Sequence, residues 1–527
     1  MLINERCENL ESWQIILYTL SAVFAALFVN SIFDDDTPLL ARAKKCFFKW
    51  LRKVPFVQRK IQRKMAGTKR TIMESVHKMD AELKFCKNLP TSGMATEAVI
   101  GMANRYSDMG TIEYRRGRVS GAVYSDFPEG HRKLLGTIFD LYSYSNPLHP
   151  DVFPGVRKME AEVVRMVLNL YHGDANTRGT VTSGGTESIL LACLAHRNRA
   201  LDRGVKKPEM IVPATAHAAF DKAAGYFRMK ITHIPVDEIS KKVNVNAMRR
   251  AISKNTCMLV GSAPNFPYGC IDDIAAIAEL GERYSIPVHV DACLGGFLVP
   301  FMERCGFEMA PFDFRLSGYA FAPKGTSLVM YRDDSFLHYQ YFVTTDWVGG
   351  VYASPTLSGS RAGLSIALTW ATLLYYGEDG YAESTRSIVE TARKVERGLR
   401  QVEGIEIVGS MDVSVVAFAS RQFQIYDLLE HMTERGWNLN ALQNPAAVHL
   451  CVTLNHTKPG VVDSFLADVK EIASDLVRRK DKKGATKTAA LYGMAATVPD
   501  RSLIRDVATT YMDAAYAMPE ELETAQE

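Results

Sequence analysis

From about Ser75 onward the chain alternates helical patterns with short apolar runs rich in Val and Ile. That rhythm restricts the fold more than any other feature. Strands separated by amphipathic helices pair in parallel, because a crossover helix returns the chain to the same end of the sheet. The spacing predicts helices over 158–171, 186–203 and 273–284, and strands over 210–213, 257–262 and 287–291. Residues 365–402 read as a long helical connection with a break at 377–380. Residues 405–454 read as strand, strand, helix, strand, strand, a compact α+β unit. No internal repeat is visible, and a charged linker at 478–487 precedes an acidic tail.

The front of the chain obeys a different solvent. Residues 13–33 (WQIILYTLSAVFAALFVNSIF) carry no formal charge, and 21 residues at about 1.5 Å each span a bilayer core of about 30 Å. A cleaved signal peptide is the rival reading. The preceding Glu5, Arg6, Glu8 and Glu11 do not form the basic segment such a peptide needs. Twelve Lys and Arg residues follow between Arg42 and Arg70, so the positive-inside rule predicts a cytosolic body and a short lumenal N-terminus. Phe47, Phe48 and Trp50 among these cations suit a segment resting on an anionic leaflet, with an ordinary solvated linker as the alternative. Over the whole chain, 62 Lys and Arg nearly balance 59 Asp and Glu, which gives no reason to expect a nucleic-acid partner. The nine cysteines show no C-x-x-C pair and no metal-ligand spacing, so we expect reduced thiols and no metal. Cys293, within an apolar run, reads as a small buried residue rather than a nucleophile.

Chemistry is concentrated at three strand ends. Thr182-Ser183-Gly184-Gly185-Thr186-Glu187-Ser188 opens a helical pattern, so its glycines allow close approach of an anion to first-turn amides. A simple helix-entry turn is the alternative, while the glycine and lysine spacing of nucleotide-binding loops is absent. His217 follows a second strand, where an imidazole can stack on a flat ring. His289-Val290-Asp291 closes a third, placing a carboxylate where open α/β sheets bind ligands. A phosphate cradle, a stacking His and an Asp able to pair with a protonated pyridine nitrogen together point to pyridoxal 5'-phosphate.

Further segments carry a family resemblance. Tyr114-Arg115-Arg116-Gly117, Val119-Ser120-Gly121-Ala122-Val123-Tyr124, Ser145-Asn146-Pro147-Leu148-His149-Pro150-Asp151, TSGGTES from Thr182, AHAAFDKAA from Ala216, HVDACLGGF from His289 and TDWVGGVYASPTLSGSR from Thr345 are similar to sphingosine-1-phosphate lyases. The similarity runs from about 75 to about 515. It implies an α/β, type I aminotransferase-like fold with a mostly parallel sheet, a C-terminal α+β small domain, and a homodimer with active sites between subunits. It also implies an endoplasmic reticulum membrane location, and cleavage of phosphorylated sphingoid bases to a long-chain aldehyde and phosphoethanolamine. The corresponding divisions are 1–40 with the membrane span, 41–74 as basic linker, 75–150 as N-terminal segment, 151–375 as large domain, 376–515 as small domain, and 516–527 as tail. By the resemblance, Gly184, Gly185 and Thr186 hold the cofactor phosphate, His217 stacks on its ring and Asp291 binds its nitrogen. Tyr124, Asn146 and His149 then line the cleft, and Gly359-Ser360-Arg361 is lent by the partner subunit.

One stretch departs from the family pattern. After Asp313-Phe314-Arg315 the family continues through a strand into a His-Lys pair, whereas here Leu316-Ser317-Gly318 runs straight into Tyr319 and the Pro323-Lys324-Gly325 turn. The gap is about ten residues, up to roughly 33 Å of extended chain. It removes the lysine that anchors the cofactor and leaves Lys324, the family's second lysine, as the only one between Asp291 and Gly325. Three readings stay open: a form lacking a short exon piece, an inactive membrane-tethered homologue, or an enzyme working through Lys324. Amino-acid decarboxylation on the same fold is a further alternative.

Overall fold

The computed structural model describes residues 50–80, 83, 85–309, 325–478 and 501–518, with isolated positions before 50. Most of the 13–33 stretch falls outside the described residues, as does Lys324. Among the described residues no helix is long and apolar enough to cross a membrane.

The chain divides into two compact units, 1–110 with 493–527, and 111–492. In the first, helix α1 (Pro55–Val76) carries Val57, Ile61, Met65, Ile72 and Val76 as a partly covered stripe at helical spacing. It packs on α11 (Arg501–Tyr516), with an Arg52–Asp506 ion pair and a His77 Nε2 to Ala514 carbonyl bond of 3.1 Å. Residues up to 515, read from the sequence as the end of the small domain, thus group in part with the front of the chain. The first unit also holds α2 (Thr96–Ser107).

The second unit begins with α3 (Glu129–Tyr142) and α4 (Pro154–Leu170). Next come β1 (Arg178–Thr182), α5 (Gly185–Asp202), β2 (Glu209–Pro213), α6 (Ala219–Phe227) and β3 (Lys230–Ile234). β4 (Thr256–Ser262), α7 (Ile274–Tyr284) and β5 (Val288–Asp291) follow, within a residue or two of the predicted bounds. The parallel sheet has the order β3-β2-β4-β5. Both faces are covered. Met210, Val212, Met258 and Val260 pack with Phe220 and Ile189 on one side, while Ile211 and Leu259 pack with Ile277 and Leu280 on the other. This two-residue alternation is what a strand buried between helix layers requires.

β6 (Ser327–Tyr331) pairs antiparallel with β1, as a separate two-stranded piece. Among the described residues no strand pairing joins β5 to β6, and residues 310–324 between them lie outside the described residues. A hairpin of β7 (Phe342–Thr344) and β8 (Tyr352–Ser354) leads to α8 (Gly363–Leu399), whose kink lies at Gly377, φ 56° and ψ −176°. The sheet β11-β12-β10-β9 comprises β9 (Glu406–Ile407), β10 (Val415–Ala419), β11 (Asn440–Leu442) and β12 (Ala447–Cys451). It packs with α9 (Ile425–Glu434), which packs in turn with α10 (Val461–Arg478). One continuous core runs from α4 through α8 into this sheet, so the predicted small domain shares its interior with the large one.

Candidate active site

The cradle turn follows directly from β1. Gly184 takes φ 152°, a conformation that disfavours other side chains, and it caps α5. The helix then begins with the Gly185 and Thr186 amides in its first turn, where no intrahelical acceptor exists. Thr182 and Ser188 hydroxyls lie 2.7 Å apart, and Ser188 Oγ reaches Ser327 Oγ at 3.1 Å, linking the turn to β6.

Asp291 ends β5 beside Ser262 of β4, and its carboxylate accepts from Cys293 N at 3.1 Å. Burial pushes this carboxyl above the usual carboxylate range, against the opposing pull of the Cys293 amide and of His217. His217 follows β2 and is exposed. Its Nδ1 accepts the Ala219 amide at 3.1 Å, which places the ring proton on Nε2, and Phe266 meets it edge-on at 6.4 Å.

The opposite wall comes from the segment before α3. Ser120 N donates to Asn438 O at 2.8 Å, Cys451 N donates to Ser120 Oγ at 2.8 Å, and Leu454 N donates to Tyr124 O at 3.1 Å. These bonds tie residues 119–124 to β11, β12 and the turn after them. Burial holds the Tyr124 hydroxyl well above its ordinary value, with Cys451 and Cys293 adding to the shift, so it remains a proton carrier at neutral pH.

Gly184, His217, Asp291 and Tyr124 therefore line one open cleft of about 1080 Å³, together with Phe266, Cys293 and Cys451. Gly325, the residue after Lys324, lines it too, and no lysine does among the described residues. The arrangement suits a flat, anionic, protonatable ring: first-turn amides for a phosphate, an exposed imidazole, and a buried carboxylate whose charge a pyridinium would offset.

Asn146, His149 and Ser360 are not in this cleft. Asn146 Nδ2 donates to Ser360 Oγ at 3.2 Å, and Asn146 Oδ1 accepts the Arg361 amide at 3.2 Å. Arg361 is held by Glu160 at 2.6 and 2.9 Å, and exposed His149 sits in the same turn before α4. Sequence reasoning also passed over Phe266, Asn438 and Cys451, which reach the cleft only through tertiary packing, and Glu187. The position of Glu187 in the first helical turn was the available signal.

Comparison with known proteins agrees with this geometry. Residues 134–421 match the pyridoxal-dependent decarboxylase conserved domain. A Drosophila melanogaster sphingosine-1-phosphate lyase is 44% identical over 98% of this chain and 96% of its own length. The Mus musculus sphingosine-1-phosphate lyase 1 is 43% identical over 98% and 92%. Among solved structures, a Burkholderia pseudomallei sphingosine-1-phosphate lyase superposes with a TM-score of 0.71 at 39% identity, covering 75% of this chain and 94% of that one. A Lactobacillus brevis glutamate decarboxylase, at 20% identity and TM-score 0.64, shares the fold over 76% of this chain and 98% of its own. With that identity sustained along the chain and the cofactor-binding features gathered at one cleft, the chain belongs to the sphingosine-1-phosphate lyase family of pyridoxal-phosphate-dependent enzymes.

Proposed function

We propose that this protein is a pyridoxal-phosphate-dependent lyase that cleaves phosphorylated sphingoid bases between the amine-bearing and hydroxyl-bearing carbons, releasing a long-chain aldehyde and phosphoethanolamine. The observation that carries it is the buried Asp291 carboxyl facing His217 across the same cleft as the Gly184 turn. Bound there, pyridoxal phosphate supplies an electron sink for the carbon left when the aldehyde departs. The first-turn amides of Gly185 and Thr186 would hold the phosphate, His217 would lie against the ring, and the Asp291 carboxylate would pair with its protonated nitrogen. Tyr124, still protonated at neutral pH, donates a hydrogen bond to substrate oxygen as charge develops during cleavage. Lys324, adjoining the cleft residue Gly325 in the chain, is the candidate for covalent attachment.

Asn146, His149 and the Ser360 loop belong in this reading to a homodimer, where they serve the cleft of the second copy. The bonds of Asn146 to Ser360 and Arg361, and the absence of all three from the lining of this chain's own cleft, support that assignment. The apolar 13–33 stretch tethers the protein to the endoplasmic reticulum membrane, with the catalytic unit cytosolic and the N-terminus lumenal. α1 supports contact with the anionic leaflet: Arg59, Lys60, Arg63, Lys64 and Arg70 are all exposed, beside a Phe56 that is 72% exposed.

The test is incubation of the full chain and pyridoxal phosphate with sphingosine 1-phosphate in detergent micelles, measuring aldehyde and phosphoethanolamine. Equimolar release of both is expected; absence of both, with the cofactor bound, rejects the reading. Borohydride reduction followed by peptide mapping should place the adduct on Lys324, and an adduct elsewhere removes that lysine from the mechanism.

A further inference from the structure

Glu187 is a buried acid whose carboxylate gathers donors from two distant segments. Its Oε2 accepts the Ser183 amide at 2.6 Å and the Ser183 hydroxyl at 2.7 Å. Its Oε1 accepts the Leu357 amide at 3.2 Å, 170 residues away in the chain. The Leu357 loop is itself stiff: the Ser354 and Thr356 hydroxyls both donate to the Ser358 carbonyl, at 2.9 and 2.8 Å. Beyond it, Ser360 and Arg361 are fixed by Asn146.

We propose that Glu187 is a positioning residue, which shapes the phosphate cradle and locks it to the 354–361 loop. First, a carboxylate that takes both Ser183 donors turns them away from the anion and fixes the backbone of the turn that leads through Gly184 into α5. Its charge also lies in the first turn of α5, where the helix dipole favours it. Second, charge-assisted bonds in a buried site are stronger and more directional than neutral ones, so one side chain can hold two backbone segments in register. In the homodimer of the proposed function, on which this part rests, the loop reaches the neighbouring cleft, and Glu187 ties the geometry of one cradle to the element offered to the other.

The test uses the full chain with Glu187→Ala, Glu187→Gln and Ser183→Ala, read by pyridoxal phosphate titration and by amide hydrogen exchange of residues 354–361 without cofactor. Glu187→Ala should weaken cofactor binding about tenfold or more, as loss of charge-assisted bonds implies, and should speed exchange at Leu357. Ser183→Ala, which removes one donor only, should weaken binding less and leave loop exchange unchanged. Glu187→Gln preserves the shape but cannot accept from both segments, and should fall between; it carries the test where the alanine variant does not fold. Unchanged affinity and unchanged exchange in both Glu187 variants overturn the proposal. Failure of the unsubstituted chain to bind pyridoxal phosphate counts instead against the proposed function, and the exchange of the loop still decides the role of Glu187.

Discussion

Asp291 shows how one residue can be costly to the fold and necessary to the site. Its carboxyl is buried with no cationic side chain bonded to it among the described residues, and burial raises its pKa, so the charged form is disfavoured in the folded state. A cofactor cation offsets that cost. Asp291→Asn should therefore melt at or above the temperature of the unsubstituted protein when cofactor is absent, yet bind pyridoxal phosphate at least about tenfold more weakly, since a buried charge pair is lost. Calorimetry and absorbance titration read the two halves, and a lowered melting temperature without cofactor contradicts the argument. At this scale much was legible in advance: Gly184, His217 and Asp291 each follow a strand end, and short motifs mark them. Glu187 was not singled out, because the meaning of its charge depends on Leu357, which no local pattern links to it.

Among the elements, α8 carries the clearest strain. Gly377 adopts φ 56° and ψ −176°, a region reserved for glycine, in the middle of a helix-rich segment. Nothing lies within 4 Å of the position a Cβ would take. The cost of Gly377→Ala is therefore conformational rather than steric, about 1–3 kcal/mol in denaturant unfolding. An unchanged midpoint would show that the two halves of α8 can straighten into one helix. The break at 377–380 was readable because two glycines three residues apart interrupt a helical pattern. The pairing of β6 with β1, apart from β5, was not readable, because strand order depends on contacts between distant segments.

For the whole molecule, buried titratable groups set the acid limit of stability. Burial lowers the pKa of His196 to about 4, His289 to about 3, His449 to about 4 and His456 to about 4, with the nearby His196 adding to the shift at His289. Each is neutral in the fold and protonates near 6.5 when unfolded. Their stabilisation is thus fully present above about pH 6.5 and is lost as pH falls toward the folded values. Asp272, pushed up to about 6 by burial, and Asp291 work in the opposite sense over the acidic part of that window. The four histidines outnumber the two carboxylates, so unfolding takes up protons on balance and stability should rise with pH between about pH 4 and 6.5. Denaturant titrations across that range measure the slope, and a flat profile contradicts it. A second prediction concerns assembly. The β7–β8 hairpin and its turn expose Phe342, Val343, Trp347, Val348 and Val351, and apolar side chains grouped in this way mark interaction surfaces. Sedimentation should find a dimer, and Trp347→Asp with Val348→Asp should shift it to monomer with loss of lyase activity.

The amino-acid sequence by itself determined β2, β4 and β5, the helices α4, α5, α7 and α8 with its break, and the three strand-end groups of the site. Those rest on periodicity and on the backbone demands of glycine, which act over a few residues. Tertiary structure alone decided that residues 119–124 join β11 and β12 to wall the cleft, and that α11 packs on α1. It also separated Asn146 and Ser360 from the cleft that Asp291 occupies. Those outcomes depend on which distant surfaces bury each other, and burial is a property of the assembled core.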